Sequence, residues 1–145
     1  MRYYIGTDHA GLELKNYTKS ALEVRGFEVI DLSPATTERV DYPDFAGRVA
    51  QALQKDPTAL GVLICGTGIG MSIAANKYNG IRAALTHDAY TAKMAREHND
   101  ANILCFGERV VGKGVVDTIL DAWCASDFEG GRHTTRVDKI NAIKG

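Results

Sequence analysis

The sequence contains few cysteines and prolines and has no long apolar run. Its 145 residues include three of each. No uninterrupted apolar stretch approaches the roughly 18 to 20 residues that a membrane-spanning helix needs. The acidic residue Asp8 interrupts the amino terminus before the apolar core of a signal peptide could form. We therefore expect a cytoplasmic protein that makes no contact with a membrane.

The cysteines also argue against two kinds of stabilising site. Cys65, Cys105 and Cys124 lie far apart and include no CxxC pair. An odd, scattered set is a poor disulfide framework and a poor zinc site, and it favours a reducing compartment.

The chain has no excess of charge of either sign. It carries 17 Lys and Arg against 18 Asp and Glu, a formal net charge of −1. This balance argues against a nucleic-acid-binding protein with a broad basic face, so a bound anion must meet a local cluster of arginines. The length suits one domain with a sizeable core, which we expect to span residues 1–145.

Short apolar runs alternate with helical patterns along the whole chain. The runs are residues 3–5, 27–32, 62–65, 81–85 and 103–106. Such alternation is typical of βαβ units. It predicts an α/β fold, a Rossmann-like three-layer α/β/α sandwich with a five-stranded parallel sheet in the order 2-1-3-4-5. Thr135 and Asp138 resemble a capping box, which predicts a terminal helix from about residue 134.

Ligands of such folds bind beyond the carboxyl ends of the strands. The third run ends there in a loop with alternate glycines, Gly66, Gly68 and Gly70. Glycines let backbone N–H groups approach an anion, although a tight turn needs glycine too. The loop is no dinucleotide fingerprint, because the third glycine would fall on Met71, and it is no Walker A loop.

Cys65 and two histidines could carry chemistry at this edge. A thiolate of Cys65 beside a helix N-terminus could act as base or nucleophile, or the residue could simply be a small buried side chain, as we interpret Cys105 and Cys124. His98 precedes Asn99 at the end of a helical pattern, where a capping or core role is the alternative. Asp8 could hold His9 in one tautomer or cap a helix.

Three arginines could bind a phosphate. Arg132 and Arg136 are four residues apart, and Arg109 follows the fifth run. Guanidinium groups match phosphate oxygens in charge and geometry, while pairing with Glu108 or Glu129 is the alternative. Thiol, loop amides, histidines and arginines together suit proton abstraction next to the carbonyl of a phosphorylated sugar. The sequence shows no metal-ligand cluster and no hydride-cofactor motif.

Several motifs in one order resemble the type B ribose-5-phosphate isomerase family, which includes the galactose-6-phosphate isomerase subunits. The matching segments cover residues 3 to about 140 and read GTDHAG, DYPDFA, ICGTGIGMSIAANK, GIRAA, EHNDANIL, FGERVVG and FEGGRHTTRV. The resemblance implies a metal-independent aldose–ketose isomerase without a cofactor. It also implies a homodimer or a tetramer of dimers, with the terminal helix on a neighbouring subunit and the site shared between subunits.

The resemblance assigns a role to each candidate. Cys65 takes the C2 proton, and Met71 stands where one branch of the family has its Glu base, so this chain follows the cysteine branch. Thr67 assists the loop amides, His98 opens the sugar ring, and Asp41 and Tyr42 lie near the pocket. The substrate-binding residues are Asp8, His9, Gly66, Thr67, Gly68, Ile69, Gly70, Asn99, Arg109, Arg132 and Arg136.

Three other functions stay open at this point. A six-carbon sugar phosphate, such as allose 6-phosphate or galactose 6-phosphate, differs from ribose 5-phosphate by one carbon or by stereochemistry. A non-catalytic sensor of sugar phosphates would use the same loop and arginines without needing Cys65. A nucleotide-binding oxidoreductase is disfavoured by Met71 at the third glycine position.

Overall fold

Five parallel strands form the centre of the structure, a computed structural model that describes residues 1–143. The strands are β1 (Arg2–Thr7), β2 (Glu28–Asp31), β3 (Leu60–Cys65), β4 (Ala83–Leu85) and β5 (Ile103–Gly107). The helices are α1 (Leu12–Val24), α2 (Tyr42–Lys55), α3 (Ile69–Ala75), α4 (Ala89–Glu97), α5 (Lys113–Cys124) and α6 (Arg132–Ala142). The predicted fold class, a Rossmann-like α/β fold, is confirmed.

The strand order is β2-β1-β3-β5-β4, so the predicted order was wrong at its last two positions. β5 lies between β3 and β4 and pairs with both. All five residues of β5 are buried, whereas the three residues of β4 are only partly buried. The fully apolar strand therefore occupies an interior position of the sheet, and the short one forms its edge.

Alternate residues of β3 face the two helical layers. Val62 and Ile64 pack in a core cluster with α1, α4 and α5, while Leu63 and Cys65 pack in a second cluster with α2 and α3. This follows from the two-residue period of a strand, whose successive side chains point to opposite faces. Cys65 therefore lies on the α2 and α3 side of the sheet, at the carboxyl end of its strand.

The terminal helix does not begin with the predicted cap. Thr135 lies inside α6, whose N-cap is Gly131. Gly130 and Gly131 have φ angles of +68° and +57°, a left-handed conformation that suits glycine. The capping prediction was wrong because the glycine pair turns the chain, and the helix starts directly after it.

Residues 1–143 include no helix that is both long enough and apolar enough to cross a lipid bilayer.

A partly buried ion pair joins α1 to the end of β2. Lys15 Nζ lies 2.7 Å from Asp31 Oδ2, and the two side chains are 9% and 21% exposed. Asp31 Oδ1 also accepts the N–H of Ser33 at 2.9 Å. Burial opposes ionisation of Asp31, but the Lys15 ammonium and the Ser33 hydrogen bonds outweigh it and hold the pKa of Asp31 below its ordinary value.

Asp31→Asn should destabilise the fold, because it leaves the Lys15 ammonium buried without its counterion. We expect the free energy of unfolding in urea at pH 7 to fall by about 2 to 4 kcal/mol. The lowered pKa makes this stabilisation complete above the unfolded pKa of about 3.9, and it disappears as the pH falls through the folded pKa. The control, Asp121→Asn, affects an exposed pair with Arg25 and should change stability by less than about 1 kcal/mol. Equal effects of the two variants would contradict this account.

Candidate functional site

A cleft of about 460 Å³ lies at the carboxyl ends of β1, β3 and β5. Most of the sequence-predicted site residues line it. They are Asp8, His9, Cys65, Gly66, Thr67, Ile69, Gly70 and Arg109, together with Ala10, Tyr42 and Ile73. A second cavity of about 500 Å³ lies between the β4 region and the end of α6. Among residues 1–143, its wall has no cysteine, histidine or carboxylate, and its titratable side chains are Lys77, Tyr78 and Arg82.

The sulfur of Cys65 faces the backbone of its own loop. Its Sγ accepts the N–H of Gly68 at 3.1 Å, and the residue is only 6% exposed. The carbonyls of Cys65 and Gly66 accept the N–H groups of Glu108 at 2.9 Å and Arg109 at 3.0 Å. The loop after β3 is therefore tied to the turn after β5, and the sulfur has a defined position in the cleft wall.

Each of the three loop glycines lies close to a different group, where a side chain would not fit without a shift of its neighbour. A Cβ at Gly66 would lie 3.1 Å from the Arg109 guanidinium, and one at Gly70 would lie 2.5 Å from the Tyr42 ring. Gly68 has φ +81°, and its Cβ would lie 2.7 Å from the backbone carbon of Phe106. Conformation alone therefore does not explain the glycines, since two of them make room for side chains at the cleft.

Three loop amides remain free to bind an anion. Gly68 donates to Cys65 Sγ, and Ile69 donates to Thr67 Oγ1 at 3.2 Å. Within residues 1–143, the amides of Gly66, Thr67 and Gly70 donate no hydrogen bond. Unpartnered N–H groups at a helix start are suited to stabilise a developing oxyanion.

The backbone of Val40, and not Asp8, orients His9. Val40 donates its N–H to His9 Nδ1 at 3.2 Å, while Asp8 Oδ1 accepts the N–H of Ala10 at 2.9 Å. A neutral imidazole that accepts at Nδ1 carries its proton on Nε2. The first of the two alternatives for Asp8, that it holds His9 in one tautomer, was therefore wrong. Asp8 is not the N-cap of α1 either, since that position is Gly11.

The three candidate arginines are not engaged by the acids expected to pair with them. Glu108 Oε1 accepts the N–H of Leu14 at 2.7 Å, at the start of α1. Glu129 instead contacts His98 and His133. Among the described residues, no carboxylate forms an ion pair with Arg109, Arg132 or Arg136. Unpaired guanidinium groups are available for an anion such as phosphate.

The other predicted site residues lie outside the cleft of their own chain. His98 is the C-cap of α4, Asn99 lines the second cavity, and Arg132 and Arg136 lie on α6, where Arg136 donates to the Arg132 carbonyl at 3.1 Å. Of the two residues predicted near the pocket, Tyr42 lines the cleft and Asp41 is the N-cap of α2.

His133, which lies against the predicted site residue His98, was not identified from the sequence. The rings of His98 and His133 stack with centroids 4.2 Å apart, and both Nε2 atoms face Oε1 of Glu129. The pKa of His133 lies below its ordinary value because of desolvation, the neighbouring His98 and the charge of Arg132. The available signal was the spacing of four residues between Glu129 and His133, directly beside Arg132.

Gly68→Ala should displace the loop that carries Cys65. The new Cβ would overlap the Phe106 backbone and strain a positive φ, so we expect loss of stability and of any activity that depends on Cys65. The matched control is Gly80→Ala, where φ is +79° and nothing lies within 4 Å. It measures the conformational cost alone, about 1 to 2 kcal/mol. Thermal melting and activity assays of both variants check this, and a Gly68→Ala effect no larger than the control would contradict it.

The chain is similar to proteins of one family over nearly its full length. The family model for Ribose/Galactose Isomerase matches residues 3–140. Ribose-5-phosphate isomerase B of Escherichia coli is 49% identical over 139 residues, which cover 96% of this chain and 93% of that protein.

Two solved structures have the same fold. That of Clostridium thermocellum ribose-5-phosphate isomerase B shows 52% identity and a TM-score of 0.94, over 97% of this chain and 95% of that one. That of Mycoplasma genitalium ribose-5-phosphate isomerase B, with bound ribulose-5-phosphate, shows 44% identity and a TM-score of 0.93, over 97% and 93% of the two chains.

Proposed function

This chain belongs to the ribose/galactose isomerase family, and on that premise we propose that it interconverts D-ribose 5-phosphate and D-ribulose 5-phosphate. The observation that carries the proposal is the cleft in which the Cys65 sulfur, free loop amides and the unpaired Arg109 meet. The related Mycoplasma genitalium protein binds ribulose-5-phosphate, which supports the choice of a five-carbon substrate.

Proton transfer between C2 and C1 is the central step. Cys65 as thiolate removes the C2 proton of the open-chain aldehyde, and the electron pair moves towards the carbonyl oxygen to give an enediolate. The amides of Thr67 and Gly70 stabilise the negative oxygen, with the Thr67 hydroxyl nearby. The C2 hydroxyl proton then passes to O1 and Cys65 returns the carbon-bound proton to C1, which gives the ketose with its C1 hydroxyl, so no redox cofactor is consumed.

The remaining side chains position the sugar phosphate. His9 is held by Val40 so that its Nε2–H can donate to a sugar hydroxyl, and Asp8 beside it can accept from one. Arg109, Arg132 and Arg136 bind the phosphate, while His98 opens the furanose ring and Asn99 holds a hydroxyl.

We further propose that the complete site forms between two copies of the chain, in a homodimer or a tetramer of dimers. His98, Asn99, Arg132 and Arg136 do not line the cleft of their own chain, so a neighbouring subunit has to supply them. Ile69 and Ile73 lie four residues apart on α3 beside the cleft and are 50% and 61% exposed. An exposed apolar pair at this place favours a covering subunit, on which α6 would pack.

A cytoplasmic location fits the chemistry of this site. Cys65, Cys105 and Cys124 are all free thiols, and a thiolate base needs a reducing environment to stay unmodified.

Cys65→Ala should abolish isomerisation of ribose 5-phosphate, because the variant lacks the base. The assay measures ribulose 5-phosphate formation with EDTA present, and the unaltered chain should be active because no step uses a metal. Cys124→Ala is the matched control, since this half-buried thiol lies away from the cleft, and it should retain activity.

Other outcomes of that assay each have a clear meaning. An active Cys65→Ala variant would contradict the role of Cys65 as the base, while the proposed isomerase function would stand. An inactive unaltered chain would contradict ribose 5-phosphate as substrate, and six-carbon sugar phosphates would be tested next. Binding of sugar phosphates without any turnover would indicate a sensor.

Two inactive variants should restore activity when their subunits are mixed. In a mixed dimer of Cys65→Ala and Arg136→Ala subunits, one site carries both substitutions and the other carries neither. Random pairing makes about half of the dimers mixed, so about a quarter of the wild-type activity should return after co-refolding. Activity that stays at the level of the separate variants would show that each chain forms its own site.

A further inference from the structure

Three side chains outside the cleft share one contact point. Glu129 Oε1 lies 3.3 Å from His98 Nε2 and 4.0 Å from His133 Nε2. The two imidazole rings stack 14° from parallel, with their centroids 4.2 Å apart. The Oε1 atom of Glu129 therefore faces the Nε2 atom of each ring.

Backbone hydrogen bonds fix both ends of the shorter contact. The N–H of Glu129 donates to the carbonyl of Glu97 at 3.0 Å, which attaches the segment before α6 to the end of α4. The N–H of His98 donates to the carbonyl of Met94 at 2.9 Å. Main-chain hydrogen bonds therefore fix the backbone positions of Glu129 and His98. The proximity of the two side chains follows from this backbone arrangement.

The arrangement fits a contact between the Glu129 carboxylate and the His98 imidazole better than a metal ion. The three ligand atoms lie within 4.8 Å of one another. Nearly parallel stacked rings, however, direct their Nε2 lone pairs side by side, whereas the ligands of a tetrahedral zinc ion converge on one point. The Oε1 atom of Glu129 lies 3.3 Å from His98 Nε2, close enough to hold a proton on that nitrogen, whereas the 4.0 Å to His133 Nε2 is too long for a hydrogen bond.

We propose that Glu129 is a positioning residue that holds His98 as the tautomer with its proton on Nε2. The free Nδ1 lone pair of His98 can then accept a proton. This inference rests on the proposed function, in which His98 opens the ring of ribose 5-phosphate. Nδ1 takes the proton of the anomeric hydroxyl, the C1–O4 bond breaks as the C1 carbonyl forms, and the proton passes to O4. A carboxylate that orients a catalytic imidazole from its other nitrogen is a recurrent arrangement.

Assays with ribose 5-phosphate and with ribulose 5-phosphate can distinguish ring opening by His98 from proton transfer by Cys65. Ribose 5-phosphate is a furanose and must open before it reacts. Ribulose 5-phosphate cannot close a five-membered ring, because its C5 oxygen carries the phosphate, so it enters the chemistry already open. The aldehyde formed from it can leave and close in water. A residue that serves ring opening is therefore needed in one direction only.

Glu129→Ala should lower kcat with ribose 5-phosphate by about 10- to 100-fold and leave the consumption of ribulose 5-phosphate nearly unchanged. Glu129→Gln keeps an acceptor oxygen without the charge and should show a smaller loss in the same direction. Glu23→Ala, which removes an exposed glutamate on α1, is the matched control and should behave like the unaltered chain. Thermal melting of each variant checks the fold.

The outcomes distinguish this inference from the proposed function. Equal losses in both directions, or no loss for Glu129→Ala, would overturn the positioning role while the isomerase function stands. An unaltered chain that converts neither pentose phosphate would refute the proposed function itself. If the Ala variant does not fold, the direction-dependent loss in the Gln variant decides the question.

Discussion

The cleft depends on the contact between the loop after β3 and the turn after β5. Two hydrogen bonds hold it, from Glu108 to the Cys65 carbonyl and from Arg109 to the Gly66 carbonyl. The two segments approach so closely that a Cβ at Gly107 would lie 2.5 Å from Thr67 Cα. This contact requires β5 to be the neighbour of β3. The pairing of these strands thus places a thiol, free amides and a guanidinium group in one wall.

The local parts of this wall could be predicted from the sequence, but the strand order could not. A continuous apolar run followed by alternate glycines identifies β3 and its loop at once. The order of β4 and β5 depends on which strand is buried on both faces, and both segments are apolar and short. Chain order favours the neighbour in sequence, whereas the structure inserts the more buried β5 next to β3.

Contacts between distant segments explain why other features of the site were missed. The partner of His9 is the backbone N–H of Val40. Almost every residue has a backbone N–H, so the residue types in the sequence do not reveal this contact. Glu129 meets His98 only because the segment before α6 bonds to the end of α4. By contrast, Cys65 and Arg132 lie in short, contiguous sequence motifs, so the family resemblance could identify them as candidates.

The arginines are available because structural contacts use the nearby carboxylates. Glu108 caps the start of α1, a helix whose N-cap, Gly11, offers no side-chain acceptor. Glu129 is engaged by two imidazoles, and an ion pair with Arg132 or Arg136 would take it away from them. In a chain with nearly balanced charge, a local excess of guanidinium groups arises only if neighbouring acids have other partners. Helix capping and the histidine contacts therefore keep these two carboxylates away from the arginines, which leaves the guanidinium groups free for an anion.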